Sequence, residues 1–250
     1  MFGLKIRLVL IYILVLFLFS CKESKPPELH IFCGTTMADA MTKLADEFQK
    51  ENKCSVEIIK GGTGNLLETI RLNKSGDLFL PGSDSYILQN KENEFLDTVC
   101  LGFNMASIMV QKGNPCKIAS IEDLYNSKFR VVLSNENSGS IGKESEKILS
   151  KYGIYDKVIE NAYKLTTDSK DLTRMLIKNE ADIALNWSAI AQWGDNNYYL
   201  DIIKIEDKYC KKRPLILCRL KYSKNTELSK KFIEFSASEK GKMIFKEFGF

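Results

Sequence analysis

Histidine is almost missing: the 250 residues contain one, His30. This excludes His-rich zinc centres and leaves any Ser–His–Asp triad dependent on a single side chain. Proline is scarce too, with 5 against 15 glycines, which excludes collagenous and low-complexity chains. No two cysteines stand at CxxC spacing, so zinc-ribbon and thioredoxin-like readings fall away. Charge of one sign never gathers into a long block. A net charge of +4 from 36 basic and 32 acidic residues gives little support to a nucleic-acid partner. Phosphate-loop motifs fail in detail: Glu144 follows Lys143, Asn137 stands where the first glycine belongs, and Gly62 and Gly64 lack a third glycine at GxGxxG spacing. No repeat occurs at solenoid periods. What remains, at 44% hydrophobic, is enough for one large or two modest domains with real cores.

The amino end does not belong to that fold. Lys5 and Arg7 precede twelve apolar residues, Leu8 to Phe19, followed by Ser20 and Cys21. Twelve residues of helix reach only about 18 Å, short of a hydrocarbon core of about 30 Å, so the run reads as a secretory signal rather than a span. Leu18-Phe19-Ser20-Cys21 resembles a bacterial lipobox. That implies cleavage before Cys21, lipid attached to its thiol, and a body held at a membrane surface in the periplasm or at the cell surface. Residues 1–20 are thus expected as signal and 21–27 as tether. In an oxidising compartment the six other cysteines permit three disulfides, and Cys210–Cys218, closest in sequence, is the first pair to expect.

From residue 29 the pattern alternates strand and helix. Leu29–Cys33 reads as a buried strand. Thr36 opens a helix with Asp39 three residues on, a capping-box spacing, and Met37, Ala40, Met41, Leu44, Ala45 and Phe48 share one face. Ser55–Ile59, a helix over Asn65–Leu72, and a strand over Asp77–Leu80 follow, so the βαβαβ order implies a parallel sheet. A second unit of the same kind begins near Asn104. It has strands at Ala106–Val110, Phe129–Leu133 and Ala181–Leu185, and helical faces at Ile141, Ile148, Leu149 and Leu172, Met175, Leu176. The chain from Asn225 onward is helical.

Three polar turns share one placement, each where a strand ends and a helix begins: Thr35-Thr36, Gly62-Thr63-Gly64 and Ser138-Gly139-Ser140. Helix starts expose unpaired N–H groups and partial positive charge, glycines admit an ion to the backbone, and hydroxyls add donors. In open α/β sheets ligands sit at the carboxyl edges of strands, so the three turns together point to a shared anion pocket.

Phe32-Cys33-Gly34-Thr35-Thr36-Met37-Ala38-Asp39-Ala40 resembles the opening of periplasmic molybdate-binding proteins, and Gly62-Thr63-Gly64-Asn65-Leu66 is similar to their second hydroxyl-bearing turn. Lys112-Gly113-Asn114-Pro115, Glu180-Ala181-Asp182-Ile183-Ala184 and the ending Gly249-Phe250 follow the same order. The resemblance implies the type 2 periplasmic-binding-protein fold: two Rossmann-like α/β lobes with mixed sheets, joined by a hinge. Lobe one would comprise 28–103 plus 216–250 and lobe two 104–215. It implies ligand contacts from Thr35, Thr36, Thr63, Gly64, Ser83, Ser138, Ser140, Asn186 and Trp187. The ligand would be a small oxyanion such as molybdate or tungstate, passed by a monomer without cofactor to an ABC permease and its ATPase. Leu80-Pro81-Gly82-Ser83-Asp84 is closer to the accessory-colonisation-factor branch, which implies a small phosphorylated or carboxylated organic acid. A sensory module for a membrane histidine kinase is the other binding role to weigh. Catalysis has no assembled nucleophile behind it. Cys33, beside the first turn, raises a thiolate site for a soft metal or arsenite-like ligand against an ordinary buried cysteine.

Overall fold

The computed structural model describes residues 26–89 and 93–250; the signal-like run, the expected lipidation site Cys21 and most of the tether lie outside them. Among the described residues no helix is long and apolar enough to cross a membrane. The chain forms two five-stranded mixed sheets that share no strand.

The first sheet has the order β2-β1-β3-β10-β4. Here β1 is Glu28–Gly34, β2 Ser55–Gly61, β3 Leu78–Leu80, β4 Phe95–Asn104 and β10 Arg213–Leu220. β1 pairs in parallel with β2 and β3, whereas β10 runs antiparallel to both β3 and β4. The second sheet has the order β7-β6-β8-β5-β9, with β5 at Ala106–Gln111, β6 at Val131–Ser134, β7 at Lys164–Thr166, β8 at Ile183–Trp187 and β9 at Leu200–Ile203. β6 is parallel to β7 and β8, and β5 antiparallel to β8 and β9. The chain passes from the first sheet to the second at Met105, between β4 and β5, and returns between Ile203 and Arg213. An all-parallel expectation therefore holds only for the strands that carry the polar turns; each sheet ends in antiparallel strands.

The helices follow the apolar spacing. α1, Ala38–Glu51, buries Ala40, Met41, Leu44, Ala45 and Phe48, and Phe48 meets Phe232 edge to face at 4.9 Å. Such pairs add about 0.5–1.5 kcal/mol beyond their burial. Phe232 belongs to α8, Thr226–Ala237, which with α9, Glu239–Glu247, packs against β4 of the first sheet. Thr36 lies in a 3-10 turn, Thr35–Met37, ahead of α1, and no side-chain cap forms there, so the capping-box spacing is not used. α2 is Thr63–Asn73, α3 Ser85–Leu88, α4 Ser140–Tyr152, α5 Tyr155–Asn161, α6 Ser169–Ile177 and α7 Asn196–Tyr199. Gly153, with φ 85, ends α4 in the left-handed conformation that glycine adopts without a Cβ clash.

Burial divides as the sheets do. One apolar cluster is built wholly from residues between Ala106 and Cys210, and two others flank the first sheet. No cluster spans both lobes. Each lobe thus holds its own core, and the two touch where Trp193 of the second lobe meets the Phe250 ring edge to face at 6.1 Å and donates to the Phe248 carbonyl at 3.2 Å.

The cysteines depart from expectation. All six described cysteines are free. Cys210 lies in the second lobe's core with its thiol toward the Ala106 carbonyl at 3.3 Å, while Cys218 is in β10 of the first sheet. The crossing between them carries near neighbours in sequence to different lobes. Cys33 is fully buried, burial pushes its thiol pKa up, and the thiol donates to the Gly34 carbonyl at 3.5 Å. It is therefore a packed thiol rather than a thiolate ligand.

Candidate ligand-binding site

Four strand-to-helix junctions meet where the lobes face each other. From lobe one come Thr35 and Thr36, after β1, and Thr63, the first residue of α2 after β2. From lobe two come Ser140, opening α4 after β6, and Ser169, opening α6 after β7. They enclose a cavity of about 10 Å³, roughly the room of one ordered water. Neither lysine nor arginine lines it; Asp168 is the charged residue in its lining, and its carboxylate is taken up by the Lys170 and Asp171 amides. Every hydroxyl residue named here is at least nine-tenths buried.

The hydrogen bonds within this wall set the direction of its protons. The Gly82 amide donates to Thr63 Oγ1 at 3.1 Å, and Trp187 Nε1 donates to Ser140 Oγ at 3.2 Å. Thr36 Oγ1 donates across the lobes to Ser169 Oγ at 3.3 Å. A hydroxyl has one proton and two lone pairs. With an oxygen lone pair already occupied, Thr63, Ser140 and Ser169 each keep their own proton for another acceptor. The first-turn amides of α4, at Ser140 and Ile141, add donors that no helical carbonyl can reach. Such a set favours a negatively charged group, and burial strengthens each bond to it.

Several expected residues serve the wall without lining it. Trp187 is fully buried beneath Ser140 and orients it. Asn186 donates to the Ser169 carbonyl at 3.1 Å and to Thr173 Oγ1 at 3.1 Å, and accepts from the Trp187 amide, so it braces the first turn of α6. Ser138 turns its hydroxyl toward the Asn135 and Thr167 carbonyls, while its own carbonyl accepts from the Gly64 amide across the lobes at 3.1 Å. Ser83 bonds within its own loop to Asp84 and Ser85. That loop enters the site through Gly82 instead: a Cβ there would stand 2.1 Å from Ser140 Oγ. The backbone approach at this seam requires glycine.

Ser169 is the wall residue that sequence reasoning missed. Its signal is present, because Asp168 is a good N-cap and takes the Lys170 and Asp171 amides at 2.8 and 3.1 Å. Only the placement of β7 beside β6 brings that cap into the cleft.

Beyond Gly64 a larger groove of about 430 Å³ opens between the lobes. Lys143 of α4 lies over the Tyr86 ring there, 4.8 Å from its centre, and hydrogen-bonds Gln89. Burial draws the Lys143 ammonium below its usual pKa and raises the Tyr86 phenol to about 12.

Residues 29–250 match the family model described as bacterial extracellular solute-binding protein. A putative binding protein from Haemophilus influenzae is 23% identical over 180 residues, 72% of each chain. The substrate-binding domain of a putative molybdenum ABC transporter from Clostridium difficile superposes with a TM-score of 0.63 at 22% identity, covering 89% of this chain and 97% of that one. PEB3 from Campylobacter jejuni, in its L-phospholactate-bound structure, gives 0.67 at 20%, covering 88% and 98%. At these identities the structural likeness speaks for the two-lobed fold.

Proposed function

The chain belongs to the bacterial extracellular solute-binding proteins, and from that premise we propose that it captures a small oxyanion between its lobes outside the cytoplasm and delivers it to an ABC permease and its ATPase. The observation that carries this reading is the proton direction at the cleft: Thr63 and Ser140 each accept an N–H and keep a hydroxyl proton to donate. Neutral donors suit a permanently ionised group, since no counter-charge need be buried with it.

Binding proceeds by hinge closure. The cavity is too small for the five heavy atoms of a tetrahedral oxyanion, so the lobes part to admit it and close on it. The separate cores let each lobe move as a body. Each hydrogen bond to a charged group contributes about 1.5–3 kcal/mol, so three to five of them reach the roughly 8 kcal/mol of a micromolar complex. Molybdate and tungstate are the first ligands to test. The Lys143 groove favours a second reading, a phosphorylated or carboxylated organic acid with its anionic head in the cleft and its body beyond Gly64. Phospholactate bound to PEB3, a structural neighbour, supports that reading. A lipid on Cys21 would keep the protein beside its membrane partner, in the periplasm or at the cell surface.

Calorimetry with molybdate, tungstate, sulfate, phosphate and small organic acids tests the assignment. Thr63→Ala is expected to weaken the best ligand about ten- to a hundredfold. Unchanged affinity would place the site elsewhere.

A further inference from the structure

Away from the hydroxyl cavity, full charges meet between the lobes at the hinge. Arg213, the first residue of β10, pairs in register with Asn104, the last residue of β4, so it stands where both crossing segments join the first sheet. Its Nε lies 2.8 and 3.0 Å from the two carboxylate oxygens of Glu144, which is 2% exposed. Glu144 sits on α4 four residues after Ser140, on the same face of the helix. The loop after β3 packs on this end of α4: Gly82 abuts Ser140, and Asp84 adds a second negative charge that Arg213 and Glu144 both sense. Burial pushes the Glu144 carboxyl upward in pKa while Arg213 pulls it down. Asn104, at the same pivot, has a buried side-chain amide with no protein partner and so provides no tie of its own.

We propose that Arg213 and Glu144 form an interlobe clasp, positioning residues that hold the Ser140 end of α4 against lobe one and set the balance between closed and open lobes. A buried ion pair need not add stability over an apolar pair, but removing one partner strands the other. Here the stranded charge has an escape, because parting the lobes lets water reach it. The clasp rests on the hinge-closing reading of the cleft, yet it is a property of the chain alone and can be tested without ligand.

The experiment is small-angle scattering on the ligand-free protein, with melting temperature recorded for wild type, Arg213→Met, Glu144→Gln and the Arg213→Met/Glu144→Gln double variant. Wild type should have the compact radius of gyration of about 17 Å expected for its size. Arg213→Met should be clearly larger, and the double variant should return toward wild type because no charge is stranded. Stopped-flow measurements with tungstate should show dissociation at least tenfold faster in Glu144→Gln, with association faster as well, because a larger open fraction admits the ligand. Single variants as compact as wild type, with unchanged dissociation, overturn the clasp; so does a lowered melting temperature with neither change, which marks a purely structural pair. Should Arg213→Met not fold, Glu144→Gln decides by the same two readouts. If molybdate, tungstate, sulfate, phosphate and the small organic acids all fail to bind wild type, the cleft reading falls, while the scattering still judges the clasp.

Discussion

Replacing Gly82 by alanine tests lobe closure with a single methyl group. The added Cβ would stand 2.1 Å from Ser140 Oγ and 2.9 Å from Ser140 Cβ, where ordinary contact begins at 3.4 Å. The seam must therefore open locally by about 1.3 Å, the difference between 3.4 and 2.1 Å. The 3.1 Å bond from Gly64 to Ser138 and the 3.3 Å bond from Thr36 to Ser169 would stretch past hydrogen-bonding range. Ligand bridging the lobes would lose at least one donor from lobe two, about 1.5–3 kcal/mol, or ten- to a hundredfold in affinity. Gly82 lies outside the apolar clusters and its φ is not in the left-handed region, so the melting temperature should hardly move. Calorimetry and scattering read the two effects separately. Adding Ser140→Gly to the variant removes both clashing atoms and should restore closure, though not the lost donor. Wild-type affinity in Gly82→Ala would refute the idea that these lobes must meet at this seam to hold ligand.

Other consequences follow from the same contacts. Trp187→Phe deletes the N–H that fixes Ser140, so it should weaken binding several-fold and cost about 1 kcal/mol of stability, seen as a fall in melting temperature of about 2–4 °C; no change in affinity would show that Ser140 needs no such support. Alkylation of the unfolded, unreduced protein should label Cys33, Cys54, Cys100, Cys116, Cys210 and Cys218, and a mass two labels short would reveal a disulfide. In the native state Cys100 should react early, whereas burial raises the thiol pKa of Cys33 and Cys218 and slows both. Hydrogen bonds from Lys50 and Lys240 hold Glu47 at a pKa of about 2, tying α9 to α1. A depressed carboxyl pKa contributes stability that is present above about pH 4.5 and is lost as pH falls toward 2. Glu47→Gln should therefore flatten the acid side of the melting curve, most visibly at low salt, and an identical acid slope would contradict this.

The parts of the fold legible in sequence were those with one dominant physical signal. Leu29–Cys33 and Ala181–Leu185 are unbroken apolar runs because β1 and β8 lie inside their sheets, covered on both faces. The polar turns were legible because a helix start after a buried strand has few ways to satisfy its amides. β10 was harder: its insertion between β3 and β4, antiparallel to both, depends on the return crossing and leaves no periodic trace. Distance in sequence misled for Cys210 and Cys218, because a lobe crossing separates them. Ser138 and Ser140 share one turn, yet only Ser140 lines the cavity; the choice is made by a local carbonyl for one and by Trp187 for the other. Ser169 looked like an ordinary cap because its role depends on which strand lies beside β6.

The most direct measurement of the central claim is the position of a heavy oxyanion in a crystal of the liganded protein, located by its anomalous scattering with tungstate. One peak is expected between the lobes, within hydrogen-bonding distance of the hydroxyls of Thr63 and Ser140. A fully occupied peak elsewhere, with those two hydroxyls still bonded only to Gly82 and Trp187, would contradict it.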